Sequence, residues 1–147
     1  MAETAPAEEL RAAAKVLRKT ASKATPGPWR RHDTWLDVGG HTATVLTDRD
    51  DLNQTSLVAW LPTFSAEPWS DGRNAWNNAA WIALASPALA EPLAAWLEGC
   101  ATDLECAETA AAKWGDAERL GPGDYVDEPD SARHALTLAR LINGRQS

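Results

Sequence analysis

Phenylalanine, tyrosine and methionine occur once each in the 147 residues, and there are only two cysteines and three histidines. Each scarcity removes a class of chemistry. Cys100 and Cys106 stand six apart in a helical pattern, about 600° of turn, so their thiols face different sides and cannot bridge while that helix is regular. The CxxC spacing of redox pairs is absent. His32, His41 and His134 show neither HxxxH nor HxH spacing, so no metal centre is expected. The run Asp48-Arg49-Asp50-Asp51-Leu52-Asn53 starts like a calcium loop, but Leu52 occupies a ligand position and Asn53 stands where the sharp turn needs glycine. GxSxG, P-loop and GxGxxG motifs are missing, so no cofactor is expected. No apolar run approaches the roughly 20 residues that span a bilayer. Met1 to Ala7 lacks the basic start of a signal peptide, which together with reduced thiols gives the cytoplasm as the expected address.

What is present is an ordinary globular balance, 44% hydrophobic and 24% charged, with two departures from average. Tryptophan occurs eight times. The net charge of −7 is unevenly spread: residues 1–31 hold seven basic and three acidic side chains, and the rest seven and eighteen. A mainly acidic body repels phosphates, which argues against a general nucleic-acid binder. An acidic DNA mimic is disfavoured as well, because the carboxylates are scattered through loops and helix caps.

Residues 7–23 predict a first helix, with Leu10, Ala13, Ala14, Leu17 and Ala21 on one face and Arg11, Lys15, Arg18, Lys19 and Lys23 on the other. That basic face suits either solvent or an anionic partner. Thr25-Pro26-Gly27-Pro28 ends the helix. Strands are expected at Trp29–Val38 and His41–Thr47, turning at Gly39-Gly40, whose two glycines accept positive φ. A third strand at Ser56–Leu61 completes an antiparallel β-meander, too small to stand without helices on one face.

From Ser70 the pattern is helical. One helix, capped by Ser70 or Asp71, should run to about Ala85. Ser86-Pro87 reads as a cap with a first-turn proline, and Glu91-Pro92 as a kink or restart. The next helix carries Leu93, Leu97, Cys100, Leu104, Ala107, Ala111 and Trp114 at alternating spacings of four and three, a heptad seam that asks for a partner helix. The seam is expected to serve self-association as a dimer through Leu93, Leu97, Leu104 and Trp114, or intramolecular packing on a last helix at Ser131–Ile142. The fold class is thus α+β: an N-terminal helix (1–25), a three-stranded meander (28–62), and three to four helices as a helical layer (70–144), read as one domain over 1–147.

Three segments carry a resemblance. Ala24-Thr25-Pro26-Gly27-Pro28-Trp29 resembles the TPGPW entry of many small phage and prophage proteins. Asn78-Ala79-Ala80-Trp81-Ile82-Ala83 with Ala85-Ser86-Pro87 and Leu89 resembles their NAxFIAxAxPxL stretch, with Trp81 in place of Phe. His134-Ala135-Leu136 with Ala139-Arg140 and Ile142-Asn143-Gly144 is similar to the tail of actinophage and Streptomyces proteins. The order of parts resembles the Ead-type accessory proteins of temperate phages. The resemblance implies a phage accessory product and no particular activity.

Two constellations could carry function. On the helix after Ser70, Asn74, Asn77, Asn78 and Trp81 share one face with no charge between them, opposite an apolar face of Trp76, Ala79, Ala80 and Ala83. Amides beside an indole can read a base edge while the ring stacks on it, or can meet a partner protein. Such a helix equally often spends its indole on the core and its amides on local backbone. The alternative site is Arg30, Arg31, His32 and His41 at the hairpin, with His32 and His41 near-opposite, where two histidines and arginines could do acid–base work on a phosphate ester. Trp60, Trp96 and Trp114 are expected in the core, and Trp69 outside it. The function expected is a non-enzymatic phage accessory binding protein acting on a host or defence component. Two rivals are an oligomeric sponge for a nucleotide-like signal and a small phosphoester hydrolase or lyase.

Overall fold

A computed structural model describes residues 4–34, 42–49, 54–61, 72–114 and 130–144. Four helices and three strands appear there: α1 (Pro6–Ala21), β1 (Trp29–Asp33), β2 (Ala43–Thr47), β3 (Leu57–Leu61), α2 (Gly72–Leu84), α3 (Ala90–Trp114) and α4 (Asp130–Gly144). The chain is α+β in the order read from the sequence. Among the described residues no single helix is long and apolar enough to cross a membrane.

Contacts divide the chain into two compact units, residues 1–20 with 90–147, and residues 21–89. The division is not sequential, because the first helix belongs with the last two. In this helical unit each helix carries, among its core-facing positions, a row at spacings of three, four and three. They are Ala7, Leu10, Ala14 and Leu17 on α1, Ala94, Leu97, Ala101 and Leu104 on α3, and Ala132, Ala135, Ala139 and Ile142 on α4. An alanine every seventh residue lets two helix backbones approach, and Leu10 and Leu97 fill the space between.

Ion pairs flank that seam. Arg18 bridges Glu91 (2.8 Å) and Glu98, and Arg11 binds Glu105 with both nitrogens, one at 2.6 Å. The acids stand seven apart on α3 and the arginines seven apart on α1, in reverse order, so the two helices run antiparallel. Arg140 of α4 reaches Glu9 at 2.9 Å, and the Asn143 amide donates to the Glu9 carbonyl.

The restart expected at Glu91-Pro92 is the start of α3: both residues lie in its first turn, where proline has no hydrogen bond to lose. The expected seam on α3 is corrected. The buried stripe runs through Ala94 and Ala101 beside Leu97, Cys100 and Leu104, and Ala107 and Ala111 are exposed. Leu97 and Leu104 are enclosed within this unit's own core.

The second unit is a sheet in the order β1-β2-β3, antiparallel throughout. Its register pairs Trp29 with Thr47 and Asp33 with Ala43. The expected turn at Gly39-Gly40 lies outside the described residues. Beyond the ladder, the Thr34 N–H donates to the Thr42 carbonyl and the Thr42 N–H to the Asp33 carboxylate. Every residue of β2 is buried. Helix α2 covers one face of the sheet, laying Ala75, Trp76, Ala79, Ile82 and Ala83 on Ala43 and Val45. Ala80, expected on that face, is exposed, and Ile82 takes its place.

Candidate functional site

The outward side of α2 is built by the helical period alone. Positions 74, 77, 78 and 81 fall within about 100° of one another, opposite the Ala75–Ala79–Ile82 side that seals the sheet. Asn74, Asn77, Asn78 and Trp81 are all exposed, and the indole stands 70% open. None of the three amides has a hydrogen-bond partner among the described residues, so none is spent on local backbone. Leu84, one turn beyond Trp81, is 62% exposed. Indole, amides and leucine form one uncharged surface.

That surface runs into a groove of about 620 Å3 open to solvent. Ala80, Ala83 and Leu84 of α2 make one wall. Pro28, Trp29 and Arg31 make another, and the 3-10 turn at Pro87–Leu89, led by Ser86, closes the end. Gly27 makes the junction possible. A side chain there would start 3.2 Å from the Ala88 backbone nitrogen and the Ser86 hydroxyl, so the absence of a Cβ lets the two segments meet. The Trp29 indole N–H donates to the Thr25 carbonyl at 3.0 Å, fixing the ring. Residues from 24–29 and from 78–89 therefore abut and line one groove.

The alternative constellation is split by the pleat. Arg31 projects to the α2 side, with its guanidinium 5.7 Å from the centre of the Trp76 ring. Arg30 and His32, one residue to either side, project to the opposite face. His32 pairs with Thr44, whose hydroxyl donates to the His32 carbonyl, and His41 lies outside the described residues. The Arg30 Nε lies 3.5 Å from Asp48, too poorly placed for a hydrogen bond, and is one of two buried side-chain polar atoms without a hydrogen-bond partner among the described residues. The other, the Thr42 hydroxyl, is four positions along the same face from Arg30's end of the ladder, so the two do not converge. Among the described residues, no group of three or more His, Cys, Asp or Glu side chains is arranged to hold a metal ion.

Sequence reasoning missed three features. Trp60 and Trp96, expected in the core, are 51% and 40% exposed. Trp114 and Trp69 have no described side-chain placement. The basic face of α1 does not stand alone, because Arg11 and Arg18 are taken up by α3. The signal was present in the matched seven-residue spacings of Arg11/Arg18 and Glu91/Glu98/Glu105. Hydrogen bonds from Arg18 hold the Glu91 and Glu98 carboxyls below the usual carboxylate range, and Arg11 does the same to Glu105. Burial pushes the Cys100 thiol up, with the Asp103 charge adding to it, which makes that thiol a poor nucleophile.

Compared with known proteins, the chain matches no family model, no curated protein and no solved structure.

Proposed function

We propose that this chain is a non-enzymatic binding protein, an accessory product of a phage or prophage, acting on a host or anti-phage defence component through the exposed face of α2. The supporting observation is the exposure of Trp81 beside three amides with no hydrogen-bond partner among the described residues. Leaving a large apolar side chain in water forgoes roughly 1.5–3 kcal/mol that burial would return, and the sheet is already sealed by the other side of the helix. A surface that must dehydrate on binding is best made of an indole and uncharged amides, since neither strands a charge.

The phage assignment rests on the resemblance of residues 24–29 and 78–89, which meet at the groove. A protein partner fits better than a multiply charged nucleotide. The face is uncharged, and Arg31 is the sole basic group among the described lining residues.

The test is site-specific photo-cross-linking from the exposed position 85, beside Trp81, in an actinobacterial host lysate, with position 108 on the exposed side of α3 as control. The reading expects a discrete adduct from position 85 and none from 108. Equal or absent adducts at both positions would remove its support.

A further inference from the structure

We infer that the groove beside α2 receives an amphipathic segment of a partner protein, with its apolar side chains on Leu84, Leu89 and Trp29 and an acidic side chain on Arg31. The inference rests on the binding reading above and names the chemistry of the partner. Three observations carry it.

First, the groove is apolar along most of its length, and Arg31 is its one charged side chain among the described lining residues. Arg31 is exposed, its guanidinium meets the Trp76 ring, and it has no carboxylate partner among the described residues. In a chain of net charge −7, a positive lining residue in an otherwise apolar groove selects for an anion that the rest of the molecule repels. A guanidinium already flanked by a ring is held in place to receive a carboxylate with paired N–H donors.

Second, Ser86 lines the same groove with 5% of its surface exposed, and its hydroxyl has no hydrogen-bond partner among the described residues. A polar group so placed gains a partner when a peptide's backbone or polar side chain enters. Third, the walls are low. Ala80, Ala83 and Ala88 bring little side-chain bulk, so a second backbone can come close, while Leu84 and Leu89 stand exposed at the rim. The groove also continues onto the Trp81 face instead of closing into a cavity, which suits an extended occupant.

The probe is a pair of twelve-residue peptide pools, acetylated and C-terminally amidated, with leucine or isoleucine four residues apart and either Glu or Gln between them. Retention is measured on the full chain, with thermal melts of each variant alongside. The wild-type protein should hold the Glu pool about tenfold more tightly than the Gln pool, the size of one charge-assisted contact. Arg31→Gln should abolish that preference, Leu84→Ser should weaken both pools, and neither should move the melting temperature much. Equal retention of the two pools, a Glu preference that survives Arg31→Gln, or no retention of either overturns the inference. If Trp81→Ala lowers partner cross-linking while Arg31→Gln and Leu84→Ser leave it unchanged, the groove inference fails and the α2 reading stands. If Trp81→Ala also changes nothing, both fail.

Discussion

Arg31 of β1 holds its guanidinium 5.7 Å from the centre of the Trp76 ring on α2. The contact ties the edge strand to the helix that covers the sheet, and it places one cation in the strand wall of the groove. It also separates Arg31 from Arg30 and His32, its neighbours in sequence.

Truncating the two sides of this contact should give unequal results. Trp76 is half-buried on the sheet, so Trp76→Ala should cost roughly 2 kcal/mol, about half the loss of a fully buried aromatic. Arg31→Gln should cost about 0.5–1 kcal/mol, the size of an exposed cation–π contact. Denaturant unfolding of both variants measures this. A loss for Arg31→Gln as large as that for Trp76→Ala would mean the arginine is structural.

The ion pairs between α1 and α3 predict an acid-labile helical unit. Hydrogen bonds from Arg18 and Arg11 lower the Glu91, Glu98 and Glu105 pKa values from 4.5 in the folded chain. Their contribution is therefore full above about pH 4.5 and is lost as pH falls through the depressed values below it. Circular dichroism melts should be flat from pH 7 to 5 and fall steeply below 4.5. In Arg18→Gln the melt at pH 7 should be lower and the acid fall shallower. An unchanged acid profile in that variant would count against the network.

Along α3, burial and not heptad position should decide the cost of substitution. Leu97 is fully enclosed, so Leu97→Ala should lose about 2–5 kcal/mol. Ala107→Ser, at an exposed position of the same seam, should stay within about 0.5 kcal/mol. Comparable losses at both sites would show that the outer end of α3 is covered.

Leu97 and Leu104, two of the four residues expected at a dimer seam, are enclosed by α1 and α4, and Leu93 is half-buried. Light scattering at micromolar concentration should give the mass of one chain, 15.8 kDa. Twice that mass, reduced to one chain by Ala107→Glu and Ala111→Glu, would place self-association on the exposed end of α3.

Much of this architecture is legible in the residues. Pro26 and Pro28 end α1, β-rich runs give three strands, and the period of α2 places Trp76, Ala79 and Ala83 on its inner side. The unreadable part concerns choices between equivalent apolar residues. Trp60 and Trp96 are as hydrophobic as any core residue, yet Trp60 pairs with Thr44 on the sheet face that α2 does not cover, and the helical core beside Trp96 is closed by alanines and leucines, so both indoles remain at the surface. The seam on α3 runs on in sequence past Leu104, but nothing in a heptad says where its partner ends. The division of Arg30 from Arg31 follows from strand alternation. The face of each depends on which side α2 covers, and that is a tertiary fact.

For the α2 face, the most direct measurement joins stability and binding in the same variants, Trp81→Ala and Asn78→Ala. Both side chains are exposed and neither serves the sheet core. The account predicts melting temperatures close to wild type together with a large loss of the adduct formed from the cross-linker at position 85. A marked fall in melting temperature with the adduct unchanged would make Trp81 a packing residue and contradict the account.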